Sequence, residues 1–499
     1  MNTSILYKEY VTKMQQIADI KYSSAVLQWD QETFLPPKGG FYRSRQIATL
    51  NELAHQQFTN EKTGALVNEL LQKNDLTDKQ KRNVQLSFED YTRAKKITGD
   101  FVRLMSETTN KSFHAWIQAR KENSFAAFLQ PLNDVIQLKK QEADMLGYQG
   151  HPYNALMNDF DKGLTVSIVD KIFEDLKPQL TKLLDYIKTK PQVNDSFLHQ
   201  HFDKDMQWKF GIEILNRMNF DFKAGRQDIS EHPFTINFNN EDVRITTRID
   251  EKDFTNMTWS CLHEGGHALY EQGLPGKEYG LPLGDYCSLS IHESQSRFWE
   301  NNIGRALPFW KHNFSLLQSF FTKQLGHISL PEFYKGINKV APSLIRTEAD
   351  ELTYHFHVMI RYEMEKQLIE GSISTKEIPA CWNSYYKKYL DLPVPDDKNG
   401  CLQDVHWSHG SFGYFATYSL GSLYAAQLYA TFIKEKESIE EEIVRGNNKE
   451  ILDWLKKNIY QYGRHFTSEE LCNNITGETL NSTHFISYAT KKYTDIYYT

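Results

Sequence analysis

Two histidines and a glutamate stand together in the stretch WSCLHEGGHALYEQ, residues 259–272: His263, Glu264 and His267. Residues i and i+4 of a helix share one face, a turn apart, so His263 and His267 can aim two imidazoles at a single cation. Glu264 lies about 100° round the helix from His263, too far to join as a ligand but near enough to reach a water on that cation. Gly265 and Gly266 cost a helix interior roughly 1 kcal/mol each relative to alanine. Two such residues side by side imply that something bulky must come close. The bland alternative is a helix that carries two histidines on its surface.

A hydrolytic zinc takes three protein ligands and keeps a fourth position open for water. Downstream, SLSIHESQSRFWENN (288–302) reads as a second helix, with Ile291, Phe298 and Trp299 for a core face and Glu293 among its polar residues. The Gly/Pro-rich run GLPGKEYGLPLGD lies between the two helices and gives room for the chain to return. A carboxylate from Glu293 would complete a His-His-Glu set, and a third histidine, His292, would be equally good chemistry.

The elements that must position these groups are mostly helical. Apolar residues recur at helical spacing over about 41–57, 77–98, 111–122, 124–146, 165–188, 203–218, 251–272, 287–303, 307–324, 345–371, 376–390, 412–435, 448–460 and 467–475. An amphipathic first helix carries Leu6, Tyr10, Met14 and Ile17. One stretch breaks the pattern. In EHPFTINFNNEDVRITTRID (231–250), Phe234, Ile236 and Phe238 alternate with polar residues, as do Val243, Ile245 and Thr247 beyond an Asn-rich turn. That is a hairpin signal, and a strand edge beside a metal site can pair with an extended peptide.

The 499 residues show no linker, repeat or low-complexity tract, and the expectation is one unit over 1–499 with its chemistry concentrated in 231–421. A formal net charge of −7 gives no polyanion-binding signature, so nucleic acid is not an expected partner. No apolar run is long enough to span a bilayer, and the N-terminus has no signal-peptide pattern. Five scattered cysteines without CxxC read as reduced thiols of a cytoplasmic protein.

Taken in order, several motifs resemble one family, the carboxypeptidase Taq family of metallocarboxypeptidases. They are LQWDQETFLPPKGG (27–40), YNALMNDFDKG (153–163, with departures), HPF (232–234), DVRIT (242–246), HEGGH (263–267), HESQS (292–296), IRTEADELTYHFHVMIRYEME (345–365) and GCLQDVHWSHGSFGYFATYSLG (400–421). Val358 stands where the family usually has isoleucine, and Ala416 where proline is common. The resemblance implies a mainly α, helical peptidase fold with a deep active-site groove and a small β-hairpin or sheet beside the metal helix, and a homodimer. It favours Glu293 over His292, giving His263, His267 and Glu293 as ligands of a zinc that cobalt or manganese could replace, with Glu264 as general base.

Arg346, Asp350, Tyr354, His357 and Arg361 form a polar stripe on the expected 345–371 helix, opposite Ile345, Ala349, Leu352, Phe356 and Met359. A carboxypeptidase must read a free carboxylate, which arginine does through a bidentate fork. The resemblance points to Arg346 for that task, ahead of Arg244 and Arg361. It also implies His406 and Tyr414 as hydrogen-bond donors to the oxyanion and the substrate backbone, with Tyr418 and His232 as further substrate contacts. The expected activity is metal-dependent release of C-terminal amino acids from peptides. The nearest alternative is an endopeptidase or dipeptidase on the same site. A more distant one is a peptide-binding protein with a structural metal, for which Cys261 would be the nearby thiol.

Overall fold

The computed structural model describes residues 2–498 and is mainly helical, with one three-stranded sheet among the described residues. The chain divides into two compact units. The first holds the chain up to Lys95, Asn194–Ile337 and Leu428–Thr479; the second holds Lys96–Val193, Asn338–Gln427 and the chain from Leu480 on.

In the first unit, helix α1 (Thr3–Thr33) starts where the Asn2 side chain accepts the Ser4 amide at 2.9 Å. Leu6, Tyr10, Met14 and Ile17 are buried along one face, as their spacing predicts, against Ala54, Val67, Leu70 and Val84. Helix α2 (Lys204–Arg217) leads to the sheet. Strands β2 (Thr235–Asn239) and β3 (Asp242–Thr247) form the expected antiparallel hairpin, with Ile236 opposite Arg244 and a register shift near Asn239. A strand the sequence did not signal, β1 (Gly225–Ile229), pairs with β3 in parallel. Its sequence, GRQDI, lacks apolar alternation, and the residues it buries are Gln227 and Asp228.

Helix α3 (Phe254–Gly273) follows, capped by the Asp253 carboxylate on the Thr255 amide at 2.8 Å. It carries the HEGGH residues. Burial of Met257, Leu262, Leu269 and Tyr270, at roughly 1.5–3 kcal/mol for each large apolar side chain, outweighs the two interior glycines. Helix α4 (Leu289–Arg297) is capped by Ser288, whose hydroxyl accepts the Ile291 amide at 3.0 Å. It runs directly into a π-helical segment, Phe298–Gly304, buried throughout. The close approach implied by the glycines is real. A Cβ on Gly266 would lie 2.5 Å from the Gln295 carbonyl oxygen and 2.7 Å from Ser296 Cα, so α3 meets the backbone of α4 at that residue.

In the second unit the expected helix over 345–371 is shorter. Arg346–Glu348 is a single 3-10 turn, and helix α5 begins only at Tyr354 and ends at Glu370. Asp350 explains the delay. Its carboxylate accepts the Leu352 and Thr353 amides at 2.9 Å, the Thr353 hydroxyl at 2.6 Å and the Ala341 amide at 3.1 Å, holding a turn in place of helix. The stripe of five polar residues is therefore not one helix face. Nor does the first half of α5, residues 354–362, have a solvated side: His355, His357 and Arg361 are fully buried alongside Phe356, Val358 and Ile360, and only further along do Glu363, Lys366, Gln367 and Glu370 reach the surface, with Glu365 still buried. Helix α6 (Phe415–Glu435) begins in this unit.

Candidate metal centre

Helices α3 and α4 bring three ligand atoms together. Glu293 Oε2 lies 3.6 Å from His263 Nε2 and 3.4 Å from His267 Nε2. Among the described residues these three side chains form the one group of histidine, cysteine and acidic residues whose ligand atoms could share a cation. The donor chemistry fits a zinc-like ion. Burial, aided by His292, pushes the His267 pKa down to about 3, so its imidazole is neutral, the form that ligates. Burial alone would raise the Glu293 carboxyl, but Arg297 and His263 hold it well below the usual range, so it is a carboxylate. Arg297 Nε donates to Glu293 Oε1 at 2.6 Å, and the Ser296 hydroxyl donates to Oε2 at 3.0 Å. Burial opposes protonation of His263, but Glu293 and Glu300 outweigh it and raise the pKa.

The ring nitrogens facing away from Glu293 are also held. His263 Nδ1 lies 2.9 Å from Glu300 Oε2, and Glu300 in turn accepts from Arg297 and Arg305, each at 3.2 Å. The π-helical segment places this carboxylate, which sequence reasoning missed. His267 Nδ1 faces His292 rather than a carboxylate.

Glu264 is buried beside the ligands but not among them, as the helical geometry requires. The Thr235 hydroxyl, on β2, reaches its Oε2 at 2.7 Å and its carbonyl oxygen at 3.0 Å. Burial raises the Glu264 carboxyl, with His263 and Thr235 opposing. Thr235 was not signalled by any motif; it lies on the hairpin, as a polar position between Phe234 and Ile236. Cys261 is not a fourth ligand. Its Sγ contacts Gln227 Nε2 at 3.1 Å and Met257 Sδ at 3.5 Å, and burial pushes the thiol up to about 12. His232 is exposed, and its carbonyl accepts from the Ser230 hydroxyl at 2.5 Å.

The other expected substrate contacts lie in the second unit and gather around Asp404. Arg346 Nε donates to Asp404 Oδ1 at 2.9 Å and Nη1 to the Tyr354 hydroxyl at 3.2 Å; among the described residues Nη2 makes no hydrogen bond. Its guanidinium lies over the Tyr418 ring, 5.0 Å from the centroid. Arg361 is spent on structure: Nε bonds Asp404 Oδ2 at 2.6 Å, Nη1 the His357 carbonyl at 2.8 Å and Nη2 the Gln403 amide oxygen at 2.7 Å. Arg244, in the first unit, is likewise committed, to both oxygens of Asp242 at 2.9 Å and to the Trp29 face. Arg361 uses all three guanidinium nitrogens, whereas among the described residues Nη2 of Arg346 and Nη1 of Arg244 make no hydrogen bond.

His406 Nε2 is 3.1 Å from the Tyr418 hydroxyl, and the Tyr414 ring packs on both residues, at 5.6 and 4.9 Å between centroids. Burial and the Arg346 charge push the His406 pKa down to about 3, so it is a neutral imidazole. The segment carrying it is anchored by Glu365, which accepts from Trp407 Nε1 and the Gly413 amide, each at 2.8 Å, and from the Tyr153 hydroxyl. Asp404 and Glu365 belong to the quoted motifs, but nothing in spacing disclosed what they hold.

An HExxH helix completed by a carboxylate from a second helix is the construction of a metallopeptidase centre. Comparison with known proteins narrows that class. The model of the carboxypeptidase Taq (M32) metallopeptidase family matches residues 9–493, and the chain belongs to this family of metallocarboxypeptidases. It is 36% identical over 511 residues to thermostable carboxypeptidase 1 of Thermus thermophilus, covering all of both chains, and 35% identical to carboxypeptidase 1 of Bacillus subtilis, covering 98% of each. The crystal structure of an M32 carboxypeptidase from Deinococcus radiodurans superposes with a TM-score of 0.97 at 36% identity, over 99% of this chain and 100% of that one.

Proposed function

We propose that this chain is a zinc-dependent carboxypeptidase that releases single residues from peptides with a free C-terminus, and that Glu264 is its general base. The observation that carries this reading is the convergence of His263 Nε2, His267 Nε2 and Glu293 Oε2, with Glu264 one residue beyond the first ligand. These three residues would hold the cation, which supplies Lewis-acid polarisation of a carbonyl and acidifies a water. Glu264 takes the proton of the attacking water and hands it to the leaving amine, while Thr235 keeps its carboxylate in place. Arg346 receives the terminal carboxylate with the part of its guanidinium that Asp404 leaves open. His406 and Tyr414 donate to the developing oxyanion, each such donor being worth about 3–4 kcal/mol; Tyr418 and His232 contact the substrate.

The family resemblance supports a homodimer and one peptidase built from the whole chain. Five free cysteines support a reducing, cytoplasmic setting. Among the described residues no helix is long and apolar enough to cross a membrane.

The test is a mass-spectrometric time course on one unstructured peptide, with free and amidated C-termini, with and without chelator. A single-residue ladder from the free terminus alone, abolished by the chelator and by Glu264→Gln, is expected. Internal cuts in both peptides would overturn the exopeptidase reading, and turnover by Glu264→Gln would remove Glu264 as base.

A further inference from the structure

The two ligand histidines are backed differently, and the difference fixes a proton arrangement. Both present Nε2 to Glu293, so Nδ1 is the outward atom on each ring. His263 Nδ1 meets the Glu300 carboxylate directly. His267 Nδ1 lies 2.6 Å from Nδ1 of His292, and His292 Nε2 lies 2.7 Å from Glu271 Oε1. The other oxygen of Glu271 accepts the Asn237 amide at 2.5 Å, so the chain ends on β2. The His267 and His292 ring centres are 4.5 Å apart with planes 28° apart. The two nitrogens therefore lie close to the line joining the centres, as an in-plane N–H···N bond requires.

We propose that His292 and Glu271 are positioning residues that fix the tautomer and orientation of His267 toward a divalent cation, and that His292 is not itself a ligand. The inference rests on the metal-site reading above. The hydrogen count leaves one arrangement. A lone pair on His267 Nε2 facing a cation puts the ring proton on Nδ1. His292 Nδ1 must then accept it, which puts the His292 proton on Nε2. That proton is donated to Glu271 Oε1, while the other oxygen of Glu271 accepts from Asn237. Both nitrogens of His292 are consumed, which removes it as the third ligand that the sequence left open. A partner behind a ligating imidazole raises its basicity and holds its plane, and losing such a partner costs about 10–100-fold in metal affinity. Tyr286 and Tyr270 pack their rings on His292 at 4.9 and 5.5 Å, so its own orientation is held by contact.

The experiment measures Zn2+ dissociation constants of the full chain by competition with a chromophoric chelator, and the visible spectrum of the Co2+-loaded protein. The variants are His292→Phe, His292→Gln and Glu271→Gln. Phenylalanine keeps the packing and removes the acceptor. Glutamine restores both functions, since its carbonyl can accept from His267 and its amide can donate to Glu271. The expected result is a loss of about 10–100-fold for His292→Phe, a smaller loss for Glu271→Gln, and recovery of most of the affinity and of the Co2+ spectrum in His292→Gln. Wild-type Zn2+ affinity in His292→Phe overturns the inference. So does equal loss in His292→Phe and His292→Gln with an altered Co2+ spectrum in both, which would make His292 a ligand. Failure of the wild-type chain to bind Zn2+ at all would instead overturn the metal-site reading.

Discussion

Replacing Gly266 by alanine tests whether the approach of two backbones sets the metal affinity. The new Cβ would sit 2.5 Å from the Gln295 carbonyl oxygen and 2.7 Å from Ser296 Cα, and neither atom belongs to a flexible side chain. Ordinary contact begins at 3.4 Å, so α3 and α4 must separate by about 0.9 Å. Alanine gains about 1 kcal/mol in helix propensity, and overpacking against backbone atoms sits at the upper end of about 1–3 kcal/mol, so the metal-free protein loses about 2 kcal/mol. The metal site is less forgiving. Glu293 rides on α4 two residues before Gln295, while His263 and His267 ride on α3. Ligand distances tolerate about 0.2 Å, well short of that displacement. The expected outcome is a fall in Zn2+ affinity of at least about 10-fold, or about 1.4 kcal/mol of lost metal-dependent stabilisation at saturating zinc. Thermal unfolding with chelator and with Zn2+, for wild type and variant, measures it as a shrunken gap between the two melting points. Gly265→Ala is the control, because the atoms nearest its Cβ belong to the flexible side chains of Leu215 and Met218, which can turn aside. A Gly266→Ala protein with the wild-type zinc-dependent gap and wild-type activity would refute the reasoning.

Three further outcomes are expected. Arg346→Ala should lower kcat/KM for free-acid peptides by about 10–150-fold, the effect of losing a charge-assisted hydrogen bond of about 1.5–3 kcal/mol; an amidated peptide hydrolysed at an unaltered rate ratio to its free acid would exclude Arg346 as the carboxylate clamp. Thr235→Val removes the hydroxyl bonded to Glu264 and should cut kcat about 10-fold, with bound zinc unchanged by elemental analysis; an unchanged kcat sinks the positioning role. Burial raises the Glu365 carboxyl from 4.5 to about 7, so the folded state binds its proton more tightly than the unfolded chain. The stability this contributes is fully present below about pH 4.5 and is lost as pH rises through 7, about 3 kcal/mol in all. Denaturant unfolding should show the wild-type advantage over Glu365→Gln shrinking by that amount between pH 4.5 and 8, and a flat difference would contradict it.

The HEGGH register, the hairpin and most of the helices could be read directly, because each depends on a local period: 3.6 residues for a helix face, two for a strand face. The buried stripe of α1 follows from that alone, and the close approach at Gly266 from the cost of two glycines inside a helix. Where burial is complete the signal fails. Over residues 354–362 helix α5 is buried all round, so its polar and apolar residues do not separate onto two faces there, and the stripe drawn through Arg346, Asp350 and Tyr354 crossed a turn that Asp350 itself builds. Strand β1 escaped notice for a related reason: its partners, not its side-chain pattern, make it a strand.

The sequence by itself determined the chemistry on offer: two imidazoles a helical turn apart, a glutamate one residue on, and motifs that resemble a metallocarboxypeptidase family. The family resemblance favoured Glu293 over adjacent His292, and only the tertiary structure shows where each side chain lies, the first against His267 and Glu271 and the second between Nε2 of His263 and Nε2 of His267. It also decided that Arg361 spends all three guanidinium nitrogens on structure while Arg346 shares Asp404 with it through Nε alone, and it set Thr235 and Glu300 against Glu264 and His263. These are pairings between residues tens of positions apart. Spacing along the chain fixes which face of an element a side chain occupies, but which partner waits on that face depends on how separate elements pack.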